Sequence, residues 1–250
     1  MEAKTVLITG ATSGIGKAIA YRLAASKIQL IICGRRTKEL EKIREDLSKL
    51  TAVTSLCFDV SDNIQVTKSI ESIPDNFKQI DILINNAGNA HGLDKIQDGN
   101  IEDWDKMIDS NVKGLLYVTK AVIGRMVEKS SGQIINIGSL AGREVYEKGN
   151  VYSASKHAVN AISKGMRIDL NKNNIKVSEI NPGLVETEFS KVRFKGDPKA
   201  NKVYEGYKAL EANDIAEIIE FVISRPHHVN IADLLVLPHD QATSSIINKK

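Results

Sequence analysis

A serine that closes an apolar strand, Ser139, is followed by Tyr152 and, four residues later, by Lys156. These three side chains form an acid–base set suited to moving a hydride to or from a carbonyl carbon. Tyrosine has an ordinary pKa near ~10 and is too weak an acid at neutral pH, but a cation within a few ångströms lowers that value by roughly one to three units. Lys156 is placed to be that cation, because residues four apart share one face of a helix and both side chains then project into one cleft. Ser139 would hold the substrate oxygen beside the phenol. Tyr146 lies near Ser139 but has Asn150 four residues on, so it lacks such a cation and is expected to line the pocket.

The elements that must position these residues follow from hydrophobic patterning. Residues 4–8, 28–33, 53–58, 82–85, 133–137, 176–180 and 233–237 read as strands, several apolar on consecutive positions as in a parallel sheet buried on both faces. Residues 15–26, 37–50, 62–73, 102–128, 151–171 and 213–224 read as amphipathic crossover helices. The expected fold class is α/β: a single doubly wound domain over residues 1–250, with a seven-stranded parallel sheet and helices on both faces. Only residues 187–210, rich in Lys, Gly and Tyr, break the rhythm. They follow a strand's carboxyl end, where such folds place ligands, and are expected to form a mobile substrate lid.

The first strand runs into Thr9-Gly10-Ala11-Thr12-Ser13-Gly14-Ile15-Gly16. Glycines here let the backbone turn sharply and approach a pyrophosphate, whose charge is stabilised by the amides and dipole of the following helix. A G-x-x-x-G-x-G turn is also found as a plain structural loop; its place between a strand and a helix favours the dinucleotide reading.

Thr9 to Gly16, Asn85-Asn86-Ala87-Gly88, Asn111, Ser139, Tyr152-x-x-x-Lys156 and Pro182-Gly183 stand in the order found in the short-chain dehydrogenase/reductase superfamily, which the chain resembles over nearly its whole length. The resemblance implies an NAD(P)-dependent oxidoreductase with a Rossmann-type sheet. It places cofactor contacts at Gly10, Thr12, Ser13, Gly14, Ile15 and Gly16, and at Asn86, Ala87 and Gly88, with Asn86 touching the cofactor directly. It gives Asp59 to the adenine, with Val60 beside the ring, although a simple capping aspartate is the alternative. Lys156 would bind the nicotinamide ribose beside Tyr152, and Pro182, Gly183, Val185 and Thr187 would meet the carboxamide. In related enzymes the asparagine matching Asn111 kinks its helix and holds a water that links the lysine to solvent. The second strand ends in Cys33-Gly34-Arg35-Arg36, without the acid that binds a ribose 2′-hydroxyl. Two guanidiniums at that point favour a 2′-phosphate and hence NADP(H).

A narrower resemblance lies in residues 102–109, 132–139 and above all 187–197. They are similar to the NADP-dependent 3-hydroxy acid dehydrogenases, the group of serine and allo-threonine dehydrogenases and malonic semialdehyde reductases. The last stretch carries Arg193 and Lys195, either of which is suited to bind a substrate carboxylate or to face solvent. Only Glu186 separates Val185 from Thr187, and Arg143 stands where that group has a small residue. Both departures bear on the substrate rather than on the reaction. The alternatives are a reductase of a 3-oxoacyl thioester, ketone or aldehyde, and a catalytically silent dinucleotide-sensing protein, against which the intact Ser139, Tyr152 and Lys156 speak.

Composition narrows the partners. Across 250 residues the formal charge is +3 with no isolated basic block, so nothing favours nucleic acid or a membrane surface. A small-molecule substrate is expected, and the resemblance implies a homotetramer paired through the long helices. The two cysteines, Cys33 and Cys57, lack metal or redox spacing and read as small buried hydrophobes. The histidines show no ligand spacing, so no metal site is expected. No leader and no apolar run of the ~20 residues needed to span a bilayer is seen, and a cytoplasmic location is expected.

Overall fold

Alternate side chains of the central strands feed two separate apolar layers, and this dictates the architecture. The computed structural model describes residues 4–198, 200 and 203–250; residues 1–3 of the expected domain, and 199, 201 and 202 of the expected lid, lie outside the described residues. Strand β1 (Thr5–Ile8) is buried along its whole length. Val6 and Ile8 enter one layer, with Ile19 and Leu23 of helix α1 (Gly14–Ala25) and Leu40 and Leu47 of α2 (Thr37–Leu47). Leu7 enters the other, with Val66 and Ile70 of α3 (Asn63–Glu71). Burying both faces of every central strand is what a parallel sheet needs, since its crossover helices cover both sides.

The remaining strands are β2 (Gln29–Gly34), β3 (Val53–Cys57), β4 (Ile82–Asn85), β5 (Gly132–Ile137) and β6 (Ile175–Pro182), with two-residue β7 (Val185–Glu186) and β8 (Leu210–Glu211), and β9 (Asp233–Val236). Six of them join β1 in one seven-stranded parallel sheet in the order β3-β2-β1-β4-β5-β6-β9. Order reverses between β1 and β4, the switch point at which such sheets open a crevice. Helix α8 (Ala212–Ile223) starts in a capping box between Glu211 and Asp214 and packs against α1.

Two features differ from expectation. The helix expected over 102–128 is broken into α4 (Ile101–Ile108), a π-helical turn (Asp109–Lys113) and α5 (Gly114–Lys129), with Asn111 buried in the turn. And β7 pairs in parallel with β8, which ties together the two ends of the excursion carrying short helix α7 (Phe189–Arg193). The lid therefore leaves and returns through one narrow neck. Cys57 corrects a smaller expectation: it ends edge strand β3 and is exposed, whereas Cys33 is buried.

Candidate active site

A cleft of about 570 Å³ opens at the switch point over the carboxyl ends of the strands. Its inner end is the glycine turn. Gly10 and Gly14 hold φ of +67° and +50°, the left-handed region that favours glycine. Gly16 lies under the turn rather than on the cleft wall, where a side chain would collide with the Gly10 carbonyl. Asn86 Nδ2 donates to the carbonyls of Thr9 (2.9 Å) and Gly10 (3.2 Å), so this side chain braces the turn. Thr9 Oγ1 accepts from the amides of Asn86 and Ala87, which locks β1 to β4. Ser13 enters α1 extended and its side chain caps nothing. With no cap from Ser13, the first amides of α1 are suited to receive an anion beside Thr12, Ser13, Gly14 and Ile15, all on the cleft wall.

The outer end is cationic. Arg36 donates from Nε and Nη2 to Thr12 Oγ1 (3.3 and 3.1 Å) and lies 3.6 Å from Glu188 at the base of the lid. Arg35 pairs with Asp59 at 3.0 Å. Burial works against the Asp59 carboxylate, but the Ser61 amide and hydroxyl and the Arg35 guanidinium outweigh it and hold the carboxyl below its usual range. Val60 and Gly88 join the wall. On the opposite side Pro182, Gly183, Val185 and Thr187 complete it, and the Leu184 amide is held by Gln241 Oε1 at 2.8 Å. A Cβ added to Gly14 would meet Thr187 at 3.4 Å, so turn and lid base are nearly in contact.

Ser139, Tyr152 and Lys156 meet midway along the cleft. Helix α6 (Asn150–Asp169) carries the latter two, and the Ser139 side chain faces the Tyr152 phenol from the turn after β5. Ser139 Oγ also accepts from the Ala141 amide (3.1 Å), and its own amide donates to Asn181 Oδ1 (3.0 Å). Lys156 Nζ donates to the Ile137 carbonyl at 2.8 Å. Burial lowers the lysine to about 8, opposed by Glu179. Burial pushes the Tyr152 phenol up, with Tyr146 adding to it and Ser139 and Arg193 opposing. Asn111 stands behind the wall: its Nδ2 donates to the Asn89 carbonyl (2.8 Å) and Ser155 Oγ (3.0 Å), while its Oδ1 accepts from the Asn89 amide (2.8 Å). A Cβ on Gly88 would crowd Asn111 Oδ1 at 2.9 Å, so glycine here leaves room for that amide, while Lys156 Nζ lies at an ordinary contact distance of 3.7 Å.

The lid supplies the far wall. Arg193 Nη1 donates to the Tyr146 hydroxyl at 2.8 Å and Nε to the Gly92 carbonyl at 3.0 Å. Its guanidinium lies 5.5 Å from the Tyr146 ring centre and 5.7 Å from that of Tyr152. Tyr146 thus has a cation after all, reached from the lid rather than one helical turn away. Lys195 goes elsewhere, to a 2.8 Å ion pair with buried Asp103. Phe189, which sequence reasoning passed over, sets its ring 5.7 Å from Tyr152. Asn181 and Ser155 were missed too; the only sequence signal was a polar residue in a buried strand and a serine one position before the lysine. Among the described residues no cluster suited to a metal is found, and no helix is long and apolar enough to cross a membrane.

A parallel sheet with this strand order, a glycine turn facing a cationic pocket and a Ser-Tyr-Lys set at the switch point define a nicotinamide-type dehydrogenase scaffold. Residues 4–198 match the short chain dehydrogenase family, and the chain belongs to it. Relatives sharpen the setting. The chain is 44% identical, over its full length and 98% of the other, to the NADP-dependent 3-hydroxy acid dehydrogenase of Schizosaccharomyces pombe. It is 41% identical to sulfoacetaldehyde reductase 2 of Chromohalobacter salexigens, with 96% of each chain covered. The closed form of serine dehydrogenase complexed with NADP+ superposes with a TM-score of 0.93 at 41% identity, over 98% of this chain and 99% of that one.

Proposed function

We propose that the protein is an NADP(H)-dependent oxidoreductase that interconverts a short 3-hydroxy acid with its 3-oxo acid or semialdehyde. The observation that carries the substrate class is the Arg193 guanidinium, held by Tyr146 and Gly92 above the Tyr152 ring. A planar fork of five donors beside the reacting phenol is suited to fix an anionic group two carbons from the carbonyl. The 42–44% identical relatives named for NADP and 3-hydroxy acids support the same reading.

The residues present fit the cofactor. Gly10 and Gly14 open the turn, the uncapped start of α1 offers amides to the pyrophosphate, and Arg35 and Arg36 stand where a 2′-phosphate would lie. When bound, the nicotinamide supplies or accepts the hydride. Tyr152 donates its proton to the developing alkoxide while Ser139 hydrogen-bonds the same oxygen, and in the oxidation direction the Tyr152 phenolate takes the proton back. Protonated Lys156 favours that phenolate and would hold the nicotinamide ribose when the cofactor is bound. Asn111, bonded to Ser155 and to the backbone of Asn89, keeps the π turn in place behind the lysine and marks the route by which its proton is replaced. Arg193 and Phe189, carried on α7 beyond the β7–β8 neck, lie over the substrate end of the cleft.

The test is NADP+ reduction with L-serine, threonine stereoisomers, 3-hydroxypropionate and neutral secondary alcohols, repeated with Arg193→Ala. Selective loss on the acids is expected; equal loss on acids and alcohols would remove Arg193 as the anchor. A homotetramer belongs to the same proposal, since exposed Leu116 and Ile168 lie on α5 and α6, the long helices expected to pair; light scattering from a stable monomer would contradict it.

A further inference from the structure

Glu179 is a carboxylic side chain in the middle of strand β6, only 1% exposed. It is the register partner of Asn136 on β5, and its Oε2 accepts from Asn160 Nδ2 at 2.8 Å. Asn160 stands one helical turn beyond Lys156 on α6, so lysine and amide share a face. The second oxygen, Oε1, is buried without a hydrogen-bond partner. It is aimed at Gly138, where an added Cβ would approach it to 2.6 Å. Lys156 Nζ meets the same short stretch one residue earlier, at the Ile137 carbonyl. A buried carboxylate that lacks full hydrogen bonding is costly unless a charge faces it.

We propose that Glu179 is a positioning residue for the reaction: the buried counter-charge of Lys156, acting through the lysine and touching neither substrate nor cofactor. This rests on the assignment of Tyr152 and Lys156 made above. The groups that face Glu179 are Lys156 from α6, Arg143 from the turn after β5 and Asp233 from β9. Arg143 and Asp233 pair with each other, and Asp233 also accepts from Asn181 Nδ2 at 2.8 Å. Arg167, further along α6, is spent on the carbonyls of Val177 and Ala232. Lys156 is thus the cation not already paired with another acid, and burial of the lysine, which lowers it to about 8, is opposed by Glu179. Losing the carboxylate lets Lys156 shed its proton at lower pH, and with it goes the cation that Tyr152 needs.

The experiment is the pH profile, from 6 to 10, of NADPH-dependent malonic semialdehyde reduction by the full-length enzyme, with NADPH affinity followed by fluorescence in the absence of substrate. Reduction requires Tyr152 and Lys156 both protonated, so wild-type kcat falls on an alkaline limb near the lysine's value of about 8. Glu179→Gln moves that limb acidward by about one pH unit, since an opposite charge at close range shifts a pKa by roughly one to three units. It keeps most of its kcat at pH 6 and loses about tenfold at pH 8. Glu179→Asp restores the limb. Glu179→Leu, which replaces the buried carboxyl with an apolar side chain, moves the limb the same way and decides the matter if Glu179→Gln does not fold. A limb unmoved in both Glu179→Gln and Glu179→Leu, whatever the fall in kcat, overturns the proposal. Absence of wild-type turnover on this substrate instead counts against the substrate reading, and the limb is then read from NADPH affinity.

Discussion

Arg193 and Tyr146, 47 residues apart, are joined by a 2.8 Å hydrogen bond that spans the substrate end of the cleft. The bond ties the lid to the loop after β5 and fixes the guanidinium over the Tyr152 ring. Tyr146→Phe keeps the ring and removes the acceptor. We expect KM for the acid substrate to rise about tenfold, the equivalent of ~1.4 kcal/mol and within the range of one hydrogen bond to a charged group. kcat should change little, and steady-state kinetics on an acid and a neutral alcohol separate this from a general defect.

We expect cofactor choice to be governed at Arg36, which reaches Thr12 on one side and Glu188 on the other. Arg36→Ala should weaken NADPH by roughly ten- to a hundredfold, the ~1.5–3 kcal/mol of a charge-assisted hydrogen bond, and leave NADH nearly unaffected. Parallel titrations of the two cofactors measure the ratio. An equal loss for both would mean that the arginine serves the lid and not the 2′-phosphate.

Lys156 is kept in the site at a cost to the fold. Its pKa falls from 10.5 to about 8 by burial, so between those values the unfolded chain binds more protons and stability rises with pH. Below pH 8 the penalty is fully present, about 3 kcal/mol by the shift alone. Lys156→Met should therefore abolish turnover, and the stability of the wild type relative to this variant should climb between pH 8 and 10 in denaturant unfolding. A flat difference over that window would show that the lysine is not desolvated.

Much of this site was legible in the order of residues, because strands buried on both faces and glycine-rich turns leave strong local signals. The seven strands fall within two residues of the positions read from apolar runs, and the glycine turn, Arg35, Arg36, Ser139, Tyr152 and Lys156 come together on one cleft. What escaped depends on contacts between distant segments. The break at Asp109–Lys113 arises where Asn111 trades bonds with the Asn89 backbone, and local patterning sees only a continuous helix. The β7–β8 pair is two residues long on each side and has no period to detect. Arg193 and Lys195 were indistinguishable in sequence; Asp103 on α4 draws Lys195 away and leaves Arg193 to the cleft. Glu179 belongs to no sequence motif, and only the fold shows it beside the lysine's anchoring turn.

The most direct test of the central claim, that Tyr152 is the acid–base group of this site, is single-turnover hydride transfer by Tyr152→Phe at saturating NADPH, with cofactor affinity measured on the same sample. NADPH should bind within a few-fold of wild type while the rate falls by at least about a thousandfold, as expected when a positioned proton donor is removed. A Tyr152→Phe enzyme that transfers hydride at a rate near wild type would contradict the account.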